Sequence, residues 1–273
     1  MSDVGTKTLW KHSYDFDSFS DKERCEELRR LSHQAEFARA IEEVELKRIG
    51  LAPGMQALEI GCGPGFLTGI ISEICAPGEA HGLDFSRELL DAAEKLVKPK
   101  HPNLKFFQGS AYATGLADAS YDFVYNRMLY QHLAKPLDAL KEARRITRPG
   151  GRVVVVDVDA GWQMMEPHCP EFDQLNELAC QAQEKIGGDR FIGRKLPNMF
   201  READFRDVGL RIISLSSVDV DMKSFLDITT RFKAMQIATE EGFALMRKVD
   251  AFCAALKRPP LIVVGVFFGV GTV

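Results

Sequence analysis

Three glycines at alternate positions, Gly61, Gly63 and Gly65, form the stretch of this sequence best suited to binding a ligand. They follow the strand-like run 57–60 and precede a run with helical character. Glycine lacks a Cβ atom and accepts positive φ, so a ligand can lie against the backbone of such a turn. The helix that follows would direct free N–H groups and the positive end of its dipole towards the turn. The pattern therefore predicts a site for a nucleotide-like ligand.

Two acidic residues narrow the choice of that ligand. Glu59 stands before the first glycine, and the spacing differs from the G-x-G-x-x-G motif of dinucleotide-binding proteins. A carboxylate that points into the site would repel a pyrophosphate but suits a ligand with positive charge. Asp84 ends a second predicted strand, where a carboxylate can accept hydrogen bonds from ribose hydroxyls. Together the two acids favour a cationic nucleoside.

An alternation of strands and helices begins at residue 56 and predicts an α/β fold, a mostly parallel sheet with helices on both faces. The expected strands are 56–60, 79–84, 104–108, 121–126, 151–157, 210–218 and 261–273. The expected helices between them are 66–75, 87–97 and 137–147. The carboxyl ends of the parallel strands would then hold the site.

The chain is expected to divide into an N-terminal helical cover, residues 1–50, and an α/β domain, residues 51–273. Apolar spacing in the cover indicates two amphipathic segments that end near Gly50. Helical inserts at about 160–208 and 222–257 interrupt the later strands.

Five motifs occur in the order and spacing of the class I S-adenosylmethionine-dependent methyltransferases, which the chain resembles over about residues 51–158. They are LEIGCGPG (58–65), HGLDFS (81–86), QGSA (108–111), YDFVYN (121–126) and RPGGR (148–152). The resemblance is to a bacterial small-molecule group that includes quinone-biosynthesis and secondary-metabolite enzymes. It implies a Rossmann-like sheet with an antiparallel last strand. It also implies S-adenosyl-L-methionine as methyl donor, whose ammonium and sulfonium suit the acidic turn.

The donor site that we expect on this basis consists of Gln34, Glu59, Gly61, Cys62, Gly63, Phe66, Asp84, Phe85, Ser110, Ala111, Asn126 and Arg127. Serine at 110 replaces the acid or amide that the family often offers to adenine, so the Ala111 N–H is the expected adenine contact. Asn126 is either a donor contact or a structural turn residue, and Arg127 can pair with the donor carboxylate. Gln34 lies on a helix before the core, where it either closes the donor pocket or is solvated.

His132 is the candidate general base, because it follows the fourth strand at the carboxyl edge of the sheet and histidine titrates near neutral pH. In relatives the same stretch also serves as a structural helix start. The residues expected to face the acceptor are Tyr14, Asp157, Asp159, Trp162 and Arg194. Packing for Tyr14 and helix capping for Asp159 are the alternatives. Arg190 and Phe191 either line the same pocket or belong to the surface.

Composition excludes several classes of function. A net charge of −4 and a pI near 5.9 provide no electrostatic basis for binding nucleic acid. Six scattered cysteines without a CxxC pair indicate neither zinc nor disulfides, and His168 and Cys169 lack a third metal ligand. We therefore expect no metal, no membrane span and a cytoplasmic location. The aromatic N-terminal tail offers a contact for a homo-oligomer.

The predicted function is methyl transfer to a small, partly hydrophobic acceptor by in-line displacement, in which alignment supplies about 7–11 kcal/mol. The sequence does not distinguish carbon, oxygen and nitrogen as the atom that is methylated. Two alternatives stay open. One is a non-catalytic donor-binding module with a blocked acceptor pocket, and the other is an NAD-linked enzyme of similar sheet topology.

Overall fold

Seven strands form one sheet in the computed structural model, which describes residues 16–219 and 222–273. The strands are β1 (Ala57–Ile60), β2 (Ala80–Asp84), β3 (Leu104–Gln108), β4 (Tyr121–Arg127), β5 (Thr147–Glu166), β6 (Arg206–Ser216) and β7 (Leu261–Thr272). Their order is β3-β2-β1-β4-β5-β7-β6. The first five strands pair in parallel, and β7 runs antiparallel to both β5 and β6. The predicted Rossmann-like topology with an antiparallel last strand is confirmed.

Helices surround this sheet. They are α1 (Asp21–Ile49), α2 (Phe66–Cys75), α3 (Arg87–Leu96), α4 (Pro136–Ile146), α5 (Pro170–Lys185), α6 (Ile192–Glu202), α7 (Met222–Leu226), α8 (Phe232–Ile237) and α9 (Glu240–Ala255). A π-helical turn, Asp227–Arg231, joins α7 to α8. Short 3-10 turns lie at Phe16–Ser18, Lys98–Lys100 and Tyr130–His132.

Both faces of the sheet carry an apolar core. On β5, Val153 and Val155 share one core with α4 and α6. Val154 and Val156 point to the opposite core, which contains residues of α1 and α2. Strands that are covered on both faces need apolar side chains at almost every position. This requirement explains the continuous apolar runs that made β1, β4 and β5 predictable.

The helical insert predicted from residue 160 begins later than expected. Strand β5 continues to Glu166, because it pairs with β7 from Arg152 onward and resumes that pairing at Gln163 after a bulge. Helix α5 begins only at Pro170, and β6 occupies the end of the predicted insert from Arg206. Pairing with a distant apolar strand thus overrides the local helical pattern.

In the described part of the N-terminal cover, one continuous helix takes the place of the two amphipathic segments that the sequence suggested. Helix α1 extends through residues 21–49, a stretch without glycine or proline. Nothing in such a stretch interrupts the backbone hydrogen bonds, so the change in apolar periodicity does not end the helix. Its last turns pack on α2 through Leu46 and Ile49.

Candidate functional site

A cavity of about 330 Å³ lies at the carboxyl edge of β1, β2 and β4 and extends beneath α1. Its first half is lined by the glycine turn after β1, the end of β2 and the loop after β3. Its second half is lined mainly by apolar side chains of β6, β7, α7 and α8, namely Ile213, Leu215, Phe225, Phe232, Val264, Val266 and Phe268. One space therefore joins a polar half to an apolar half.

The glycine turn has the backbone conformation that its sequence predicts. Gly61, Gly63 and Gly65 have φ values of 73°, 53° and 75°. The N–H groups of Gly61 and Cys62 donate to the Leu83 carbonyl at 2.7 and 3.1 Å, which ties the turn to β2. Left-handed φ at three alternate residues is the conformation that favours glycine over all other residues.

Only one of these glycines faces open space. A Cβ atom on Gly61 would press on Leu129, and a Cβ atom on Gly65 would clash with Phe106. A Cβ atom on Gly63 would meet no protein atom within 4 Å. Gly61 and Gly65 are therefore needed for packing, whereas Gly63 leaves room for a ligand to lie against the backbone.

The carboxylate of Asp84 is held at the end of β2 by two backbone N–H groups. Gly63 N–H donates to Oδ2 at 2.7 Å, and Ser86 N–H donates to Oδ1 at 2.9 Å. Burial raises the pKa of Asp84, although these hydrogen bonds oppose the shift. Ser86 also caps α3 and donates its hydroxyl to Asp17. Asp84 is thus a fixed acceptor on the cavity wall.

Glu59 is buried between the turn and the helix that follows it. Thr68 Oγ1 donates to its carboxyl group at 2.5 Å. Burial raises the pKa of Glu59 to about 8, which favours the neutral form of its carboxyl group near neutral pH. Burial also raises the pKa of the neighbouring Cys62 thiol, with contributions from Asp84 and Glu59. A cation in the cavity would favour the ionised form of Glu59.

Helix α1 contributes a buried acid to the same wall. Glu42 accepts a hydrogen bond from Arg127 Nε at 2.6 Å and another from the Tyr125 hydroxyl. Arg127, at the end of β4, also lies close enough to Glu59 to lower its pKa. Arg127 is therefore paired with α1 through its Nε in this structure, and it lies on the cavity wall.

The turn that carries His132 is supported from behind by Asp157. The Asp157 carboxylate accepts from the N–H of Gln131 at 3.0 Å, and the Gln131 carbonyl accepts from Gln183 Nε2. Burial raises the pKa of Asp157 to about 7. His132 and Gln131 line the cavity, whereas Asp157 does not. The structure therefore gives Asp157 a supporting position behind this turn.

Most of the predicted site residues come together. Those on the cavity wall are Gln34, Glu59, Gly61, Cys62, Gly63, Phe66, Asp84, Phe85, Ser110, Ala111, Arg127 and His132. Those away from the wall are Asn126, Asp157, Asp159, Trp162 and Arg194. Tyr14 lies outside the described residues.

Each residue away from the wall has a local reason for its position. Asn126 is buried and donates to the Val154 carbonyl at 3.1 Å. Asp159 is engaged by Arg194, with 2.6 Å between Nε and Oδ2. Trp162 is half exposed and packs edge-on against a β7 phenylalanine. Asp159 and Trp162 belong to β5, and neither side chain reaches the cavity wall.

Two acids on the wall escaped the sequence analysis. Glu42 precedes Leu46 by four residues and Ile49 by seven, so it falls on the buried face of α1. An acidic residue within the apolar stripe of a helix is the pattern that could have predicted a buried role for Glu42. Asp17 lines the cavity beside Ser86, and its sequence context carries no such signal.

Similarity to known proteins identifies the family to which the chain belongs. Residues 58–155 match the family model described as a methyltransferase domain. The demethylmenaquinone methyltransferase of Staphylococcus aureus is 30% identical over 185 residues, which cover 61% of this chain and 74% of that protein. The chain belongs to the class I S-adenosylmethionine-dependent methyltransferases. S-adenosylmethionine is accordingly its cofactor.

Two further similarities concern the share of a relative's length that this methyltransferase covers, and its fold. An uncharacterized 37.1 kDa protein in transposon TN4556 of Streptomyces fradiae is 32% identical over 169 residues, which cover 62% of this chain and 48% of that protein. The methyltransferase thus spans about half the length of that relative. The YcgJ protein of Bacillus subtilis has the same fold, with a TM-score of 0.59 at 21% identity over 85% of this chain and 97% of the other.

The cavity of the methyltransferase has room for a cationic nucleoside at the glycine turn. The open space above Gly63, beside the fixed carboxylate of Asp84, is the cradle that a ribose and its neighbours require. Within residues 16–219 and 222–273, no three His, Cys, Asp or Glu side chains gather as metal ligands. In the same ranges, no helix has both the length and the apolar character needed to span a bilayer.

Proposed function

We propose that this methyltransferase transfers the methyl group of S-adenosylmethionine to a small, partly apolar acceptor. The observation that carries this proposal is the continuity of the cavity from the glycine turn to the apolar walls of β6 and β7. Donor and acceptor can therefore occupy one space, shielded from water by α1. A non-catalytic module would need no second half.

The donor half offers a distinct partner for each part of the donor. Asp84 would accept hydrogen bonds from the ribose hydroxyls, and the Ala111 backbone would contact the adenine. The backbone of Gly63 would lie beneath the nucleoside, and Glu59 would face the cationic end. When bound, the donor supplies an electrophilic methyl group for displacement by a nucleophile of the acceptor.

The chain's own contribution is alignment, exclusion of water and removal of a proton. Holding both substrates in one orientation supplies about 7–11 kcal/mol of barrier reduction. His132 lines the cavity and would accept a proton from an acidic nucleophile. Its turn is supported from behind by Asp157.

Calorimetric titration of the full chain with S-adenosylmethionine and, separately, NAD tests the donor assignment. We expect binding of the methyl donor and none of NAD. The glycine spacing differs from that of dinucleotide sites, and a cation, unlike a pyrophosphate, would be stabilised by ionisation of Glu59. Binding of NAD together with no binding of the methyl donor would refute the proposal.

A screen with labelled donor tests the transfer itself. Phenols, indoles, amines and quinol precursors form the panel, and the quinols are included because one relative is named for demethylmenaquinone. We expect label to appear in at least one apolar acceptor. A protein that binds the donor but labels nothing would favour the non-catalytic module.

A further inference from the structure

Two buried cations, Arg190 and Lys233, lie beneath the helices that cover the second half of the cavity. Arg190 precedes α6 and Lys233 belongs to α8. Arg190 is only 7% exposed and Lys233 only 6% exposed. We call these two residues the cation pair.

The cation pair is held by neutral side chains. Arg190 Nη2 donates to the side-chain oxygen of Gln236, and Arg190 Nε is buried without a hydrogen-bond partner. Lys233 Nζ donates to Gln163 Oε1 at 2.6 Å and lies 5.5 Å from the ring centroid of Phe172. Within the described ranges, neither cation forms an ion pair with a carboxylate.

Two partly buried arginines of this protein are neutralised by buried carboxylates. Arg127 pairs with Glu42 at 2.6 Å, and Arg30 pairs with Glu27 at 2.6 Å. Taking an ion out of water costs several kcal/mol unless an opposite charge and hydrogen bonds offset the loss. The cation pair departs from this pattern, because amide oxygens hold it without an opposite charge.

The nearest acids are already engaged. Asp157 lies close enough to act on Arg190, but its carboxylate accepts from backbone N–H groups. Asp173 acts on Lys233 and contacts His168 at 2.8 Å. Burial lowers the pKa of Arg190 to about 10 and, together with the charge of Arg190, that of Lys233 to about 7. The pKa of a buried cation falls in this way when no anion stabilises its charged form.

Arg190 is accessible from the cavity. It lines the same wall as Val158, Thr229 and Phe225, which belongs to the apolar half. Lys233 lies outside the cavity wall but close enough to Arg190 for the charge of Arg190 to lower the pKa of Lys233. An anion that entered the apolar half would find the free Nε of Arg190 in a site shielded from water.

We propose that the acceptor carries an anionic oxygen group, a carboxylate or a phosphate, that binds to Arg190, and that Lys233 strengthens this site through its charge. This inference rests on the proposed methyl transfer, because it defines the second substrate of that reaction. The rest of such an acceptor is apolar, in agreement with the walls of β6 and β7.

Matched neutral and anionic probes test the inference. Phenylacetate, indole-3-acetate and 1-naphthaleneacetate are titrated into the full chain in the presence of S-adenosylhomocysteine, each beside its primary amide. We expect at least one acid to bind about tenfold or more tightly than its amide, the gain typical of charge-assisted hydrogen bonds. Phenyl phosphate is then compared with phenylacetate. The one that binds more tightly indicates whether the acceptor carries a phosphate or a carboxylate.

Variants then assign the preference to the cation pair. Arg190→Met should reduce the ratio of acid to amide affinity to about one, and Lys233→Met should reduce it in part. Neither variant should lower the melting temperature, because each removes a buried charge that has no counterion. Arg201→Met, which removes an exposed arginine of α6, is the matched control and should keep the ratio.

Three outcomes overturn the inference. One is a panel in which neither an acid nor the phosphate binds more tightly than the amides. Another is a preference that survives Arg190→Met. The third is a fall in melting temperature with equal loss of acid and amide binding, since that result indicates a structural role. Donor affinity is measured on the same samples, so failure of the donor to bind refutes the proposed function instead.

Discussion

The carboxylate of Glu42 and the guanidinium of Arg127 form a buried ion pair, with 2.6 Å between Oε1 and Nε, that joins α1 to the end of β4. The Tyr125 hydroxyl donates to the same carboxylate. Glu42 and Arg127 line the cavity beside Glu59, and the charge of Arg127 lowers the pKa of Glu59. The N-terminal helix is thus attached to the site by charge as well as by apolar packing.

Glu42→Gln should destabilise the protein by about 3–5 kcal/mol, because it leaves Arg127 buried without a counterion. Urea unfolding, followed by far-UV circular dichroism, measures the change. Glu43→Gln is the matched control on the next residue of α1. Glu43 pairs with Arg39 on a partly exposed surface, and its loss should cost less than about 1 kcal/mol. Equal effects of the two substitutions would contradict a special role for the buried pair.

Gly63→Ala should weaken binding of S-adenosylmethionine about tenfold or more, because its methyl group would enter the open space above the turn. Calorimetry measures the affinity. Gly54→Ala is the control, since Gly54 also has positive φ and open space around it but is remote from the cavity. Both variants should lose about 1 kcal/mol of stability from backbone strain. Unchanged donor affinity in Gly63→Ala would show that no ligand lies against this turn.

Asp84→Asn should weaken donor binding by about 1–3 kcal/mol through loss of charge-assisted hydrogen bonds to the ribose. Asp122→Asn is the control, because Asp122, like Asp84, accepts a hydrogen bond from a backbone N–H group. Asp122 accepts from a backbone N–H at 2.8 Å and pairs with Arg148, and it is not on the cavity wall. This control should change unfolding without changing donor affinity. A donor affinity that responds equally to both substitutions would remove Asp84 from the ribose.

Glu59→Gln should flatten the pH dependence of stability. The pKa of Glu59 in the folded protein, about 8, exceeds its ordinary value of 4.5. Between these values the folded state holds a proton that the unfolded state has released, so the free energy of unfolding falls as pH rises. Unfolding in urea at pH 5.5 and 7.5 should therefore show a smaller loss for the glutamine variant than for the wild type.

The same proton should affect donor binding with the opposite sign. A cationic donor favours ionised Glu59, so binding releases the proton and affinity rises with pH, by at most about tenfold per unit below pH 8. Titrations at pH 6 and 7.5 compare the wild type with Glu59→Gln, in which the rise attributable to this group should vanish. An identical pH dependence in the two proteins would separate Glu59 from the donor.

His132→Ala should lower turnover of an acidic acceptor by about 10²–10⁴-fold while changing donor affinity little, since a general base acts on the acceptor proton. Single-turnover assays with labelled donor and calorimetry measure the two effects. Leu133→Ala, in the same segment, controls for disturbance of the cavity wall. Equal losses of turnover and donor affinity in His132→Ala would indicate a structural role for the histidine.

The local sequence determined the α/β order and the glycine turn. The predicted bounds of the first four strands lie within one residue of those in the structure. The signal was clearest for β1 and β4, which lie inside the sheet and are mostly buried, whereas β3 is an edge strand with one buried residue. The turn was predictable because positive φ at Gly61 and Gly63 requires a residue without a Cβ atom. Asp84 followed from its position at a strand end.

Tertiary structure alone decided which polar groups meet. The length of β5 depends on pairing with β7, a strand that begins about a hundred residues later along the chain. Asp159 and Arg194 engage one another away from the cavity, whereas Glu42 reaches Arg127 across 85 positions. Local periodicity assigns a residue to a face, but the charge that stands opposite it belongs to another element. That pairing requires the packed fold.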